Sequence, residues 1–96
     1  MGACDFCMTA KGKTAREAFR TAVDQARYEY GHGGYTGTIA EKDKFVMIPL
    51  PKDKEPADYA YELIEACDAR IDDKWGPAGC FDLGSGAFMF FGIASD

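Results

Sequence analysis

A glycine-rich segment at residues 28–39, YEYGHGGYTGTI, contains the only histidine of the chain, His32. An imidazole titrates near neutral pH, so His32 could act as a general base, a metal ligand or a pH-sensitive contact. The backbone N–H groups of Gly33 and Gly34 could also bind an anion. The tyrosines on both sides would form the walls of such a site. The candidate ligand site therefore comprises Tyr28, Tyr30, His32, Gly33, Gly34 and Tyr35.

A tight corner is the simpler interpretation of the same residues. A nucleotide-binding glycine loop follows a strand and opens a helix, whereas this segment follows a predicted helix and precedes a predicted strand. Glycine adopts positive φ without steric cost, which suits a sharp helix-to-strand corner. The sequence shows no nucleophile paired with a base, so it leaves the reaction class of any site here open.

The pattern CDFC places Cys4 and Cys7 at the spacing of a zinc or redox motif. A zinc ribbon needs a second pair of this kind, which the sequence lacks. In a predicted strand the two side chains point to opposite faces, and a redox pair would instead open a helix. The GKT at 12–14 lacks the earlier glycine of a phosphate-binding loop. We therefore expect no metal, no cofactor and four reduced cysteines.

Charge is divided unevenly between the two halves of the chain. The net charge is −5, with +2 over residues 1–54 and −7 over residues 55–96. Surfaces that bind nucleic acid carry clustered positive charge, so the second half would repel phosphates. We expect no direct contact with nucleic acid.

Residues 55–73 hold seven acids and one base. On a predicted helix, three- and four-residue spacing brings several of these carboxylates to one face. A solvated face is the simpler interpretation of such a run. A row of this density could instead bind a basic protein surface, or occupy a nucleic-acid-binding groove in place of phosphates. The predicted partner-binding residues are Asp58, Glu62, Glu65, Asp68, Asp72 and Asp73.

Two amphipathic helices and five strands would position these residues. The first helix begins at Thr14, which forms a capping box with Glu17, and ends before Gly31. The second has Pro56 in its first turn and continues to Trp75. The predicted strands cover residues 3–10, 35–39, 44–50, 80–84 and 87–94.

The predicted order, β-α-β-β-α-β-β, belongs to the α+β class. Its first six elements follow the ferredoxin-like split βαβ plan, with one added strand. Both helices would pack on one face of a mainly antiparallel sheet; a curved sheet wrapped around one helix is the alternative. The last strand is apolar on both faces, so a homodimer partner is the simplest cover for the face without helices.

A chain of 96 residues, 47% of them apolar, predicts a single folded domain over residues 1–96. No run approaches the roughly 18 apolar residues that indicate a membrane span. The first residues lack the apolar core of a secretory signal. We expect a cytoplasmic protein without a membrane partner.

The run EAF…A…YEYGHGGYTGTIAEK, residues 17–42, resembles small uncharacterised proteins of bacteriophages and mobile elements. It covers about a quarter of the chain and contains no catalytic motif, so it assigns no role to any residue. The resemblance implies a setting whose small acidic proteins include inhibitors of host defence nucleases, some of which imitate nucleic acid. Our first hypothesis is a non-enzymatic module that binds a basic protein partner, as an inhibitor of a nucleic-acid-binding enzyme. The alternative is a ligand-binding or enzymatic site at the glycine-histidine turn.

Overall fold

The computed structural model describes residues 3–30 and 37–95. Two helices and a mainly antiparallel sheet of four strands confirm the α+β class. Along the chain, the elements are β1 (Ala3–Lys11), α1 (Ala15–Tyr30), a 3-10 helix (Ile39–Glu41), β2 (Phe45–Met47), α2 (Pro56–Glu65), β3 (Ala78–Gly84) and β4 (Ala87–Ser95).

The sheet has the strand order β1-β4-β3-β2. β1 and β4 form an antiparallel ladder whose register runs without a break from Ala3 opposite Ser95 to Lys11 opposite Ala87. β3 and β4 form an antiparallel hairpin with one irregularity between Asp82 and Gly84. β2 lies parallel to β3, and α2 provides the crossover that a parallel pair requires.

The Thr14 cap that the sequence predicts is present at the start of α1, but the reciprocal bond to Glu17 comes from the N–H of Lys13 and not from that of Thr14. The Thr14 hydroxyl accepts a hydrogen bond from the Glu17 N–H at 3.1 Å, and the Glu17 carboxylate accepts one from the Lys13 N–H at 3.3 Å. The apolar side of this amphipathic helix also lies inside the protein. Its fully or nearly buried members are Ala18, Phe19, Ala22, Val23 and Ala26.

The two helices pack on opposite faces of the sheet, whereas the sequence predicted both on one face. Even-numbered β4 residues such as Phe88 and Phe90 join α1 in one cluster of buried side chains, the α1-side core. Odd-numbered residues such as Met89 and Phe91 join α2 in a second cluster, the α2-side core. Successive side chains of a strand point to opposite faces, so each cluster occupies one face. The protein therefore has three layers.

This arrangement covers both faces of the apolar strand β4. Phe90 and Phe91 are both completely buried within a single chain. The sequence-based reason for expecting a homodimer was an uncovered sheet face, and α2 covers that face. The reason for expecting a dimer through the sheet face is therefore removed.

The predicted strand at 35–39 differs from the structure in its described part, residues 37–39. Gly37 has a φ of 69°, in the left-handed region. The Thr38 hydroxyl accepts a hydrogen bond from the Ala40 N–H at 3.2 Å and so caps the 3-10 helix. Ile39 opens that helix and is completely buried in the α1-side core. A local cap and one buried side chain therefore outweigh the strand propensity of the segment.

α2 ends at Glu65, ten residues before the predicted end at Trp75. The Cys67 N–H bonds the Ile64 carbonyl and the Asp68 N–H bonds the Leu63 carbonyl, which is the Schellman pattern of a helix end. Cys67 occupies the left-handed position of this motif, with a φ of 54°. The chain then continues in turns. As a result, Cys67 and Trp75 are exposed and lie outside the helix, although the sequence predicts a helix that continues through both.

Candidate functional site

The exposed face of α2 carries a row of acids with one aromatic side chain among them. Asp58, Tyr61, Glu62 and Glu65 follow the spacing i, i+3, i+4 and i+7, which places them on one side of the helix. All four are exposed, while Ala60 and Leu63 on the inner side are buried. We call these four residues the outer stripe of α2.

Tyr61 is the aromatic member of the outer stripe, and 41% of its surface is exposed. Partial burial raises the pKa of its hydroxyl, and the nearby Cys7 and Asp5 raise it further. Both neighbours belong to β1, so the outer stripe borders the β1 edge of the sheet. A half-exposed aromatic ring surrounded by carboxylates is a surface that a basic partner could contact through both charge and apolar area.

Two of the six predicted acids form ion pairs. Lys54 Nζ lies 3.2 Å from Glu62 Oε2. Arg70 Nη2 lies 2.9 Å from Asp68 Oδ2, and the side-chain hydrogen bond from Arg70 lowers the pKa of Asp68 to about 2. Exposed pairs of this kind contribute at most about 1 kcal/mol, so a competing cation can replace the lysine at low cost.

The six predicted acids do not form one helical row. Asp58, Glu62 and Glu65 lie on α2, whereas the other three lie in the turns after it. Asp73 has a local structural role, because its carboxylate accepts a hydrogen bond from the Trp75 N–H at 2.9 Å. The helix ends at Glu65, before the last three of these acids. The acids in the turns are Asp68, Asp72 and Asp73.

Lys42 is a buried cation that the sequence analysis did not single out. Its Nζ donates to the backbone carbonyls of Asp73 at 3.3 Å and Lys74 at 3.1 Å. Burial lowers the pKa of Lys42, and the nearby carboxylates of Asp73 and Asp43 partly oppose that shift. Lys42 therefore ties the end of the 3-10 helix to the segment that leads into β3. Nothing in the local sequence distinguishes it from the exposed Lys44 two residues later.

The arginines of α1 lie on the other side of the sheet from the outer stripe. Arg16, Arg20 and Arg27 line a shallow groove of about 490 Å³ together with Asp24 and Asp43. None of these three arginines forms an ion pair with a residue in the described ranges. Because α1 and α2 cover opposite faces, the arginines of α1 do not neutralise the outer stripe, whose described ion pair is the one between Lys54 and Glu62.

The candidate site at the glycine-histidine turn falls mostly outside the described residues. His32, Gly33, Gly34 and Tyr35 lie in the undescribed segment, and only the backbone of Tyr30 is described, at the end of α1. The Tyr28 side chain is 90% exposed, so this ring does not form the wall of a cavity. A ligand site at this turn stays a prediction.

The cysteines are dispersed over the fold. No disulfide joins any of the four. Cys4 and Cys7 point to opposite faces of β1, as their spacing predicts. Burial raises the pKa of Cys7 and raises that of Cys80 to about 12, which keeps both protonated at neutral pH. Within the described ranges, no group of three or more His, Cys, Asp or Glu side chains could hold a metal ion.

Comparisons with protein families, with curated proteins and with solved structures give no match. Function therefore has to be argued from the residues themselves. Among the described residues, no helix is both long enough and apolar enough to cross a membrane.

Proposed function

We propose that this protein is a non-enzymatic interaction module that binds a protein partner with a basic surface. The contact is made by the outer stripe of α2, with the acids of the following turns at its border. The observation that carries the proposal is the exposed ring of Tyr61 within a row of carboxylates on one helix face.

The carboxylates of the outer stripe favour binding of a cationic partner and do not stabilise the folded chain. Asp58, Glu62 and Glu65 are close enough in the helix to repel one another, which costs a few tenths of a kcal/mol per pair, roughly. A cationic partner would remove this repulsion and would be attracted over several ångströms before contact. Aromatic side chains at the centre of a contact commonly contribute most of its free energy, and Tyr61 has this position.

The class of partner that we propose is a nucleic-acid-binding enzyme, which the chain would inhibit by presenting carboxylates where phosphates bind. The net charge of −5 and the exposed carboxylates of the outer stripe, of which only Glu62 forms an ion pair within the described ranges, support this part of the proposal. The groove in which such an enzyme binds phosphates is basic. The carboxylates of the outer stripe would therefore both recognise this groove and compete with nucleic acid for it. We place the activity in the cytoplasm, because the lack of disulfides among four cysteines fits a reducing compartment.

The test begins with immobilised protein, which captures candidate partners from a bacterial lysate at low salt, followed by affinity measurement for each purified partner. We expect Glu62→Lys with Glu65→Lys to weaken binding at least roughly tenfold, and Tyr61→Ala to have a comparable effect. Asp24→Lys is the matched control, since Asp24 is exposed on α1 at the opposite face.

Raising the salt concentration should weaken the wild-type complex and should have less effect on the charge-reversed variant. Nucleic acid should compete with the protein for the same partner. An affinity that is indifferent to both salt and the charge reversal would contradict the proposal. So would an equal loss of binding in the Asp24→Lys control.

A further inference from the structure

The two edge strands of the sheet differ in how they are protected against pairing with another chain. β2 has only three residues, and Pro49 and Pro51 follow it closely. Short strands and prolines are common devices that keep an edge from pairing. β1 has nine residues, contains no proline and keeps a regular register along its whole length. Within the described residues, no strand pairs with its outer side.

The backbone of β1 presents hydrogen-bonding groups along this outer side. The Gly12 N–H donates to the Gly86 carbonyl at 3.0 Å, one position beyond the last ladder pair. In an antiparallel ladder, alternate residues bond the partner strand and the residues between them point the other way. Even-numbered residues of β1 therefore bond β4. The residues whose N–H and C=O groups point outward are Ala3, Asp5, Cys7, Thr9 and Lys11.

Described residues from both faces of the sheet flank this edge. A cavity of about 530 Å³ follows residues 4–8 of β1. Gln25 and Glu29 of α1 lie on one side of the cavity, and Tyr61 of α2 lies on the other. Among the described residues, the helices thus flank the edge strand and no strand forms a ladder with its outer side.

We propose that β1 pairs antiparallel with β1 of a second copy of this chain, across a two-fold axis at Met8. A two-fold axis makes each contact occur twice, so the strand must be complementary to itself. In this register Asp5 lies opposite Lys11 of the partner subunit, and Lys11 lies opposite Asp5 of the partner subunit. Cross-strand pairs of opposite charge stabilise a sheet. The product is one continuous eight-stranded sheet.

The other side chains fit the same register. Phe6 would lie opposite Ala10 of the partner subunit, so apolar side chains meet on the α1 side of the sheet. Asp5 and Lys11 are both exposed in the single chain and form no ion pair within the described ranges. A register with its axis at Cys7 would place Asp5 opposite Thr9 and would leave both charges without a cross-strand partner.

A charge exchange tests this arrangement, with the association state measured by sedimentation equilibrium of the whole chain. Asp5→Lys alone places two lysines opposite each other twice, and Lys11→Asp alone does the same with two carboxylates. We expect each variant to dimerise at least roughly tenfold more weakly than the wild type. The double variant Asp5→Lys with Lys11→Asp should regain wild-type dimerisation.

An equimolar mixture of the two single variants is the sharpest form of this test. One chain then has lysines at both positions and the other has aspartates, so both cross-strand pairs become attractive. We expect heterodimers to form at concentrations at which neither single variant alone dimerises to the same extent. A wild type that stays monomeric at about 1 mM would overturn the proposal. A dimer that does not respond to these substitutions would overturn it equally.

A proline substitution tests the role of the backbone. Thr9→Pro removes an N–H that points outward, so the ladder with β4 should stay intact while dimerisation is lost. Thr9→Ala is the matched control and should remain dimeric. A folded Thr9→Pro variant that still dimerises as the wild type does would contradict the proposal. These variants leave the outer stripe of α2 unchanged, so failure of the dimer is distinguishable from failure of the proposed partner binding.

Discussion

The two faces of the sheet are covered in different ways. On the α1 side, one regular helix of sixteen residues supplies most of the cover, largely through alanines that allow close packing. On the α2 side, the ten-residue helix supplies only Ala60 and Leu63 as fully buried side chains. The rest comes from irregular segments, which contribute Ile48 and Ile71. One face of the sheet is therefore covered mainly by a single regular helix, and the other by a short helix together with irregular segments.

This difference indicates which face can accommodate a change. A helix packed along its length moves as a unit, so a hole beneath it stays open. Irregular segments held by single side chains can shift separately and close part of a hole. The cost of a cavity depends on how far its surroundings relax, so the two faces should respond differently to the same loss of volume.

The largest expected effect comes from truncating the neighbouring phenylalanines of β4. Phe90 packs against Phe19 and Phe45 with ring centroids 5.4 and 5.7 Å away, and Phe91 packs against Phe81 at 4.5 Å. Phe90→Ala should lower the free energy of unfolding by about 4–5 kcal/mol, and Phe91→Ala by about 3 kcal/mol. Urea unfolding of both variants measures the two losses. A larger loss for Phe91→Ala would contradict the difference between the faces.

A smaller loss is expected from Lys42→Met, which leaves two backbone carbonyls without their donor. The free energy of unfolding should fall by about 1–3 kcal/mol, because these carbonyls lie in a partly buried environment. Lys44→Met is the matched control, since the Lys44 side chain is exposed, and should change stability little. Urea unfolding at neutral pH compares the three proteins.

The difference in free energy of unfolding between the wild type and Lys42→Met should depend on pH with a defined sign. The pKa of Lys42 is lower in the folded protein than its ordinary value of 10.5. Between the lowered pKa and 10.5, the unfolded chain binds more protons at this lysine, so folding becomes more favourable as pH rises. The stability of the wild type relative to Lys42→Met should therefore increase through this window. A difference that stays flat or decreases there would count against a desolvated lysine.

The smallest expected effect is a gain in stability at the end of α2. Cys67 holds a left-handed conformation that glycine adopts without strain. Cys67→Gly should raise the free energy of unfolding by up to about 1 kcal/mol, with the greater flexibility of glycine in the unfolded chain opposing part of the gain. Cys67→Ala keeps the strain and should give no gain. Thermal unfolding of the two variants separates these outcomes.

The sequence predicted the parts of the fold that depend on local patterns. Both helix starts, the amphipathic character of α1 and the positions of β3 and β4 all follow from periodicity, caps and turn residues. The end of α2 could not be predicted in this way, because Cys67 is not a residue type that indicates a left-handed cap. The placement of the helices was likewise hidden, since an apolar stripe shows that a helix packs on a sheet but not on which face.

The candidate site was predictable to a similar extent. The acids of α2 were identified from spacing, and three of the six predicted residues share the outer stripe. Tyr61 was missed, although its spacing from Asp58 and Glu65 placed it on the same face. The neighbourhood of Asp5, Cys7 and Tyr61 joins β1 to α2, and contacts between elements so far apart in sequence leave no local signal.

The ladder between β1 and β4 has a consequence for how quickly this chain can reach its native state. Its nine pairs join the first described strand to the last, whereas the other antiparallel ladder of β4, with β3, is closed by a short turn. Closing so long a loop is entropically unfavourable before any of the pairs has formed. The protein should accordingly collapse around its helices first and pair these two strands late. Its folding rate should then be limited by the closure of this long loop more than by helix formation.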